Sequence, residues 1–70
     1  MEFEALRDAT AYAAALYGVT SRDGHWQLGS GHDAFTGRSG AMVRELRRRG
    51  IVTPLTDLWF RVEPPANPSS

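Results

Sequence analysis

Apolar and small residues recur every three or four positions along the first part of the chain. Phe3, Leu6, Ala9/Thr10, Ala13 and Leu16/Tyr17 follow this spacing, which predicts a helix over residues 3–17. Its many alanines favour that state. Glu2, Glu4 and Asp8 near its start suit the positive end of the helix dipole. Gly18 follows the last periodic residue, where a left-handed glycine commonly ends a helix.

The rhythm then changes. Asp23-Gly24 is a turn signal, and His25-Trp26-Gln27-Leu28 alternates polar and apolar residues as a short strand does. Gly29-Ser30-Gly31 interrupts it. Ser30 is a candidate cap for a short helix through Asp33, Ala34 and Phe35. Thr36-Gly37-Arg38-Ser39 reads as a tight turn between helices, with Gly37 free to take positive φ. Ser39 is placed to cap a helix over residues 40–49 whose apolar face is Met42, Val43 and Leu46. At 100° per residue, Arg44, Arg47 and Arg48 fall on the opposite side. After Gly50, Ile51-Val52-Thr53 reads as a strand, Pro54 to Asp57 as a turn, and Leu58–Val62 as a second strand. In that strand Leu58, Phe60 and Val62 share one face, and Trp59, Arg61 and Glu63 share the other. No internal repeat or heptad run stands out. The expected core is Phe3, Leu6, Ala13, Leu16, Leu28, Phe35, Val43, Leu46, Ile51, Phe60 and Val62.

The segment TGRSGAMVRELRRRGIV, residues 36–52, followed by LWFRVEP, residues 58–64, resembles the winged helix-turn-helix domains, of the small bacterial or phage type. The resemblance covers residues 3–63. It implies an α+β fold with three helices and a small antiparallel sheet, in the order helix, strand, helix, helix, strand, strand. It also implies a DNA-binding module, a small transcriptional regulator reading duplex DNA through the helix at 39–49. Carried over, Arg38, Ser39 and Ala41 stand at the groove-facing start of that helix, Arg44 lies one turn further, and Arg47 or Arg48 reaches phosphate. Arginine suits these roles because its planar fork binds guanine edges or phosphate in bidentate fashion.

Composition adjusts this picture. Seventy residues set one domain, here 1–63, with a Pro/Ser-rich tail over 64–70 that reads as disordered. The chain has eight Arg, no Lys and eight carboxylates, so its formal net charge is zero. These charges are segregated: residues 1–35 hold two Arg against five carboxylates, and residues 36–63 hold six Arg against three. The turn at Pro54–Asp57 carries no base, and its only charge is Asp57. Each missing phosphate contact lowers the salt dependence of DNA binding by about 0.9 in log–log slope. A monomer is therefore expected to bind weakly, and a homodimer or a partner protein to supply the rest.

The rival expectation is a protein-contact module that does not bind DNA, such as a phage-encoded inhibitor or an assembly subunit. Trp59 and Arg61, on the non-core face of the last strand, are its candidate interface. No cysteine is present, which excludes disulfides and thiol chemistry. His25, His32 and Asp33 fall short of the three or four spaced ligands of a metal site, and the Ser/His/Asp residues build no oxyanion hole. No enzyme, cofactor, metal or small-molecule substrate is expected. The acidic start and the lack of a long apolar run predict a cytoplasmic protein without a membrane segment.

Overall fold

The computed structural model describes residues 1–65. Strand β1 (Glu2–Glu4) precedes helix α1 (Leu6–Leu16), and strands β2 (Thr20–Arg22) and β3 (His25–Leu28) form a hairpin. A single 3-10 turn, Gly31–Asp33, leads to β4 (Phe35–Gly37) and helix α2 (Ser39–Arg48). A second hairpin, β5 (Val52–Pro54) and β6 (Trp59–Val62), completes the fold. The strands make two antiparallel sheets, ordered β1-β6-β5 and β2-β3-β4.

This arrangement keeps the expected α+β class and overturns the expected topology. Among the described residues there are two α-helices and six strands, not three helices with one small sheet. The missing helix is the one placed at Ser30–Phe35. Ser30 makes no capping hydrogen bond, and Ala34 is already extended at φ −67, ψ 138. Phe35 and Thr36 pair with Leu28 and Gln27, so the expected interhelical turn is a strand. Gly37 ends that strand close to α2, where an added Cβ would come within 3.2 Å of the Ala41 Cβ. The helix-turn-helix pair is therefore absent, and its second helix follows a strand instead.

The first helix is also shorter than its periodicity predicted. Glu2-Phe3-Glu4 alternates as a strand does, and Phe3 lies opposite Phe60 in β6. Its ring centroid is 4.9 Å from that of Tyr12, so the strand is packed to the helix that follows it. Ala5 separates the two elements at φ 94, ψ 133 and donates its amide to the Leu58 carbonyl at 2.8 Å. Both helices end alike. The amides of Val19 and Ile51 reach back five residues to the carbonyls of Ala14 and Leu46, at 2.8 and 2.9 Å. These are the closing bonds of a Schellman motif, with Gly18 and Gly50 at positive φ between them.

The element order is thus strand–helix–strand–strand, twice. Each half contributes its hairpin to one sheet and its first strand to the other: β1 joins β6, and β4 joins β3. The repeat unnoticed in the sequence is a repeat of structure. Helix α1 packs on β1 and β6, and α2 packs on β3 and β4, with β5 touching both. Between them lies the core of Ala9, Ala13, Leu28, Met42, Leu46, Ile51, Val52, Phe60 and Val62. Leu16, expected inside, is exposed, while Phe3, Leu6, Phe35 and Val43 are half-buried. The Tyr17 hydroxyl donates to the Glu63 carbonyl at 2.6 Å and ties the end of β6 to the end of α1. Burial and the nearby Glu63 carboxylate push its pKa up. Pro64 and Pro65 are exposed and lie outside any helix or strand; the remainder of the expected tail, 66–70, lies outside the described residues.

Candidate nucleic-acid interface

Helix α2 is amphipathic, as its sequence predicted. It buries Met42, Glu45 and Leu46 and half-buries Ala41 and Val43. Its exposed stripe is Gly40, Arg44, Arg47 and Arg48, spaced i, i+4, i+7 and i+8. Gly40 has open space where a Cβ would stand, so the stripe begins with a low step one turn before Arg44. The sequence reading passed over Gly40 because glycine carries no recognition chemistry of its own.

The stripe is only partly free. Glu45 lies against Arg48 and Arg49, three and four residues on, the spacing at which opposite charges meet on a helix. Arg48 Nε donates to Oε1 at 3.0 Å and Arg48 Nη2 to Oε2 at 2.5 Å, a bidentate pair. Arg49 Nε donates to Oε2 at 2.6 Å, and its Nη2 reaches the Asp33 carbonyl at 3.5 Å. Hydrogen bonds from Arg48, then from Arg49, hold the Glu45 carboxyl down at about 2. The same pairing raises the Arg48 pKa. Arg49 is a latch between α2 and the 3-10 turn. Arg44 and Arg47 have no ion pair among the described residues.

The other expected site residues are spread around this helix. Arg38 is the residue before its first turn, extended at φ −79, ψ 169, and it makes no side-chain cap. Its Nη1 lies 3.5 Å from where a Gly24 Cβ would stand, so the guanidinium rests over the β2–β3 turn. Ser39 does not cap the helix as expected; it is the first helical residue and lines a groove against α1. Ala41 packs toward Gly37 rather than outward.

The polar outer surface of β2-β3-β4 adjoins the Arg38 end. Directly opposed residues of antiparallel strands share a face. Arg22 opposes His25, and Gln27 opposes both Thr20 and Thr36. These side chains, with Ser21 and Trp26, line a shallow hollow of about 390 Å³. Arg22 and His25 were not among the expected site residues, because the partner strand that brings them together was not foreseen.

On the opposite sheet, Trp59 and Arg61 stand exposed on the outer face, where strand alternation placed them. Glu4 opposes Trp59, and Glu2 opposes Arg61, whose Nη2 is 4.0 Å from the Glu2 carboxylate. Leu58, expected on the buried face, precedes the strand and is 61% exposed.

Among the described residues no group of three or more His, Asp or Glu is placed to hold a metal ion, and no helix is long and apolar enough to cross a membrane. No protein-family model matches the chain, and neither the curated proteins nor the solved structures yield a significant match.

Proposed function

We propose that this chain is a duplex-DNA-binding module that presents the outer stripe of α2 to the nucleic acid, in the role of a small bacterial or phage transcriptional regulator. The observation that carries this reading is the pair Arg44 and Arg47, exposed and unpaired among the described residues, on the side of α2 opposite Met42 and Leu46. Arg38, whose guanidinium rests over the β2–β3 turn, adds a third exposed cation, and Gly40 leaves room for a close approach. Arg48 is a reserve contact, held by Glu45 until something stronger draws it away.

Three phosphate contacts give a slope of log affinity against log salt of about −2.7, a loss of about 40-fold between 50 and 200 mM. Fluorescence anisotropy of a labelled duplex at the two salt concentrations measures this. Arg44→Ala and Arg47→Ala should each flatten the slope by about one contact. A titration without salt-dependent binding, or with binding indifferent to both substitutions, defeats the reading.

One observation favours a second reading, protein contact through the β5–β6 hairpin. Leu58 and Trp59 are 61% and 43% exposed, and exposed aromatic anchors are characteristic of interfaces. A Trp59→Ala variant that stays folded and loses a protein partner supports it; one that keeps every partner counts against it.

A further inference from the structure

A groove of about 460 Å³ opens between α1 and α2. Leu6 and Ala11 wall one side, Val43 the other, and Trp26 of β3 stands between them. The walls are apolar, and Arg7 on α1 is the charged group that lines them. Arg7 is exposed and has no ion pair among the described residues.

The most exposed large apolar side chain after Met1 is Leu58. Its carbonyl accepts the Ala5 amide at 2.8 Å, so its backbone lies one residue from Leu6. Leu58 does not line the groove of its own chain. The loop that carries it is held firmly: the Thr56 hydroxyl accepts the amides of Leu58 and Trp59, both at 3.1 Å. Asp57, the neighbour of Leu58, is exposed and also without an ion pair among the described residues.

Each molecule therefore carries an apolar hollow with a guanidinium on its wall and, next to it, an apolar knob with a carboxylate. We infer that a second copy of this chain occupies the groove: Leu58 of each copy enters the hollow of the other, and Asp57 faces Arg7 across the contact. A knob and a hole carried close together on one molecule let two copies pair about a two-fold axis, because each contact is then repeated and the pair closes. Arg7 and Asp57 are opposite in sign, so they attract across that pair. Pairing through the edges of the β1-β6-β5 sheet is disfavoured, since β1 carries Glu2 and Glu4 and β5 ends in Pro54. The plate-like shape, 35 × 33 × 17 Å, leaves a chain this short with a shallow core that a second copy would deepen.

This inference is independent of the DNA reading, and its test contains no nucleic acid. Sedimentation velocity on the full chain should show monomers converting to dimers as concentration rises to about 100 µM, the range of a small transient interface. In a Trp59→Phe background, Trp26 is the sole indole, and its emission should shift to the blue over the same range. Leu58→Asp removes the knob and Ala11→Arg fills the hole; both positions are exposed, so both variants should keep the wild-type circular dichroism. Each variant alone should stay monomeric, whereas an equimolar mixture should form mixed dimers through the one intact knob and hole. Asp57→Arg should weaken pairing, and adding Arg7→Asp to it should restore pairing. A wild-type chain that is monomeric throughout, a dimer that survives both single variants, or a mixture that stays monomeric overturns the inference.

Discussion

Glu45→Gln separates the two jobs that the α2 arginines can do. The glutamate is nearly buried and anchors two guanidinium groups, with Arg48 gripping both oxygens and Arg49 one of them. Glutamine keeps the shape and removes the charge, so the chain moves from formal neutrality to a net charge of +1. The Arg48 side chain, already 70% exposed, then loses the carboxylate that holds it back from the Arg44–Arg47 stripe. If that stripe meets duplex DNA, a fourth phosphate contact becomes available and the salt slope steepens from about −2.7 to about −3.6. The affinity lost between 50 and 200 mM salt would grow from about 40-fold to about 150-fold. Arg48→Ala in the wild-type background should leave the slope nearly unchanged, because that guanidinium is engaged before DNA arrives. The assay is anisotropy of one labelled duplex over a salt series, with thermal melting run in parallel. Melting should fall in Glu45→Gln while binding strengthens. A slope that stays constant or shrinks when the carboxylate is removed refutes the placement of DNA on this face.

Acid should weaken the fold through the same carboxyl. Its pKa is about 2 in the folded chain against an ordinary 4.5, so the unfolded chain takes up the proton first as pH falls. The stabilisation is therefore complete above the ordinary value and drains away as pH drops toward about 2; urea midpoints should decline across this window, and less steeply in Glu45→Gln. Leu46→Ala empties a fully buried site between α2 and the sheets and should cost about 2–5 kcal/mol by urea unfolding. In a small domain that is a large part of the total, so a cost within ±0.5 kcal/mol would show that the core has been misplaced. Ala5→Gly should raise stability by about 1 kcal/mol, because Ala5 sits at φ 94 where a Cβ is strained; a lower melting temperature would show that the strain is illusory.

What was legible in the sequence was local. The stripe and buried face of α2 follow from 100° geometry, and the β5–β6 hairpin from two alternating runs around Pro54. The three-residue strands β1, β2 and β4 were not legible, for physical reasons. Strand β1 is only a strand because β6 pairs with it from the far end of the chain. Phe3 happens to stand three residues before Leu6, so helical spacing claimed it. Thr36-Gly37 carries a turn residue, yet the pairing of Phe35 with Leu28 decides its state. In the candidate site, the sequence turns Arg44 and Arg47 outward and raises Glu45 as a neutralising partner without choosing its arginine; the structure pairs it with Arg48 and Arg49, three and four residues on.

The exchange of first strands explains why a three-helix reading failed as a whole rather than at one element. Each sheet takes two strands from one half and one from the other, so neither half can complete a sheet by itself. The halves share no visible sequence repeat because burial asks only for apolar character at equivalent places. Counted from the helix starts, Ala9 and Ala13 on α1 correspond to Met42 and Leu46 on α2, all four fully buried. The outward positions differ most. By the same alignment Arg44, Arg47 and Arg48 correspond to Ala11, Ala14 and Ala15. One helix of the pair is loaded with guanidinium groups, and its counterpart is bare methyl, with Ala11 walling the groove. A backbone that offers two equivalent helical faces has been given cations on one and a smooth wall on the other. That asymmetry belongs to no requirement of folding, since all six positions lie outside the buried core. It is the reason to seek a polyanion at α2 and an apolar contact beside α1.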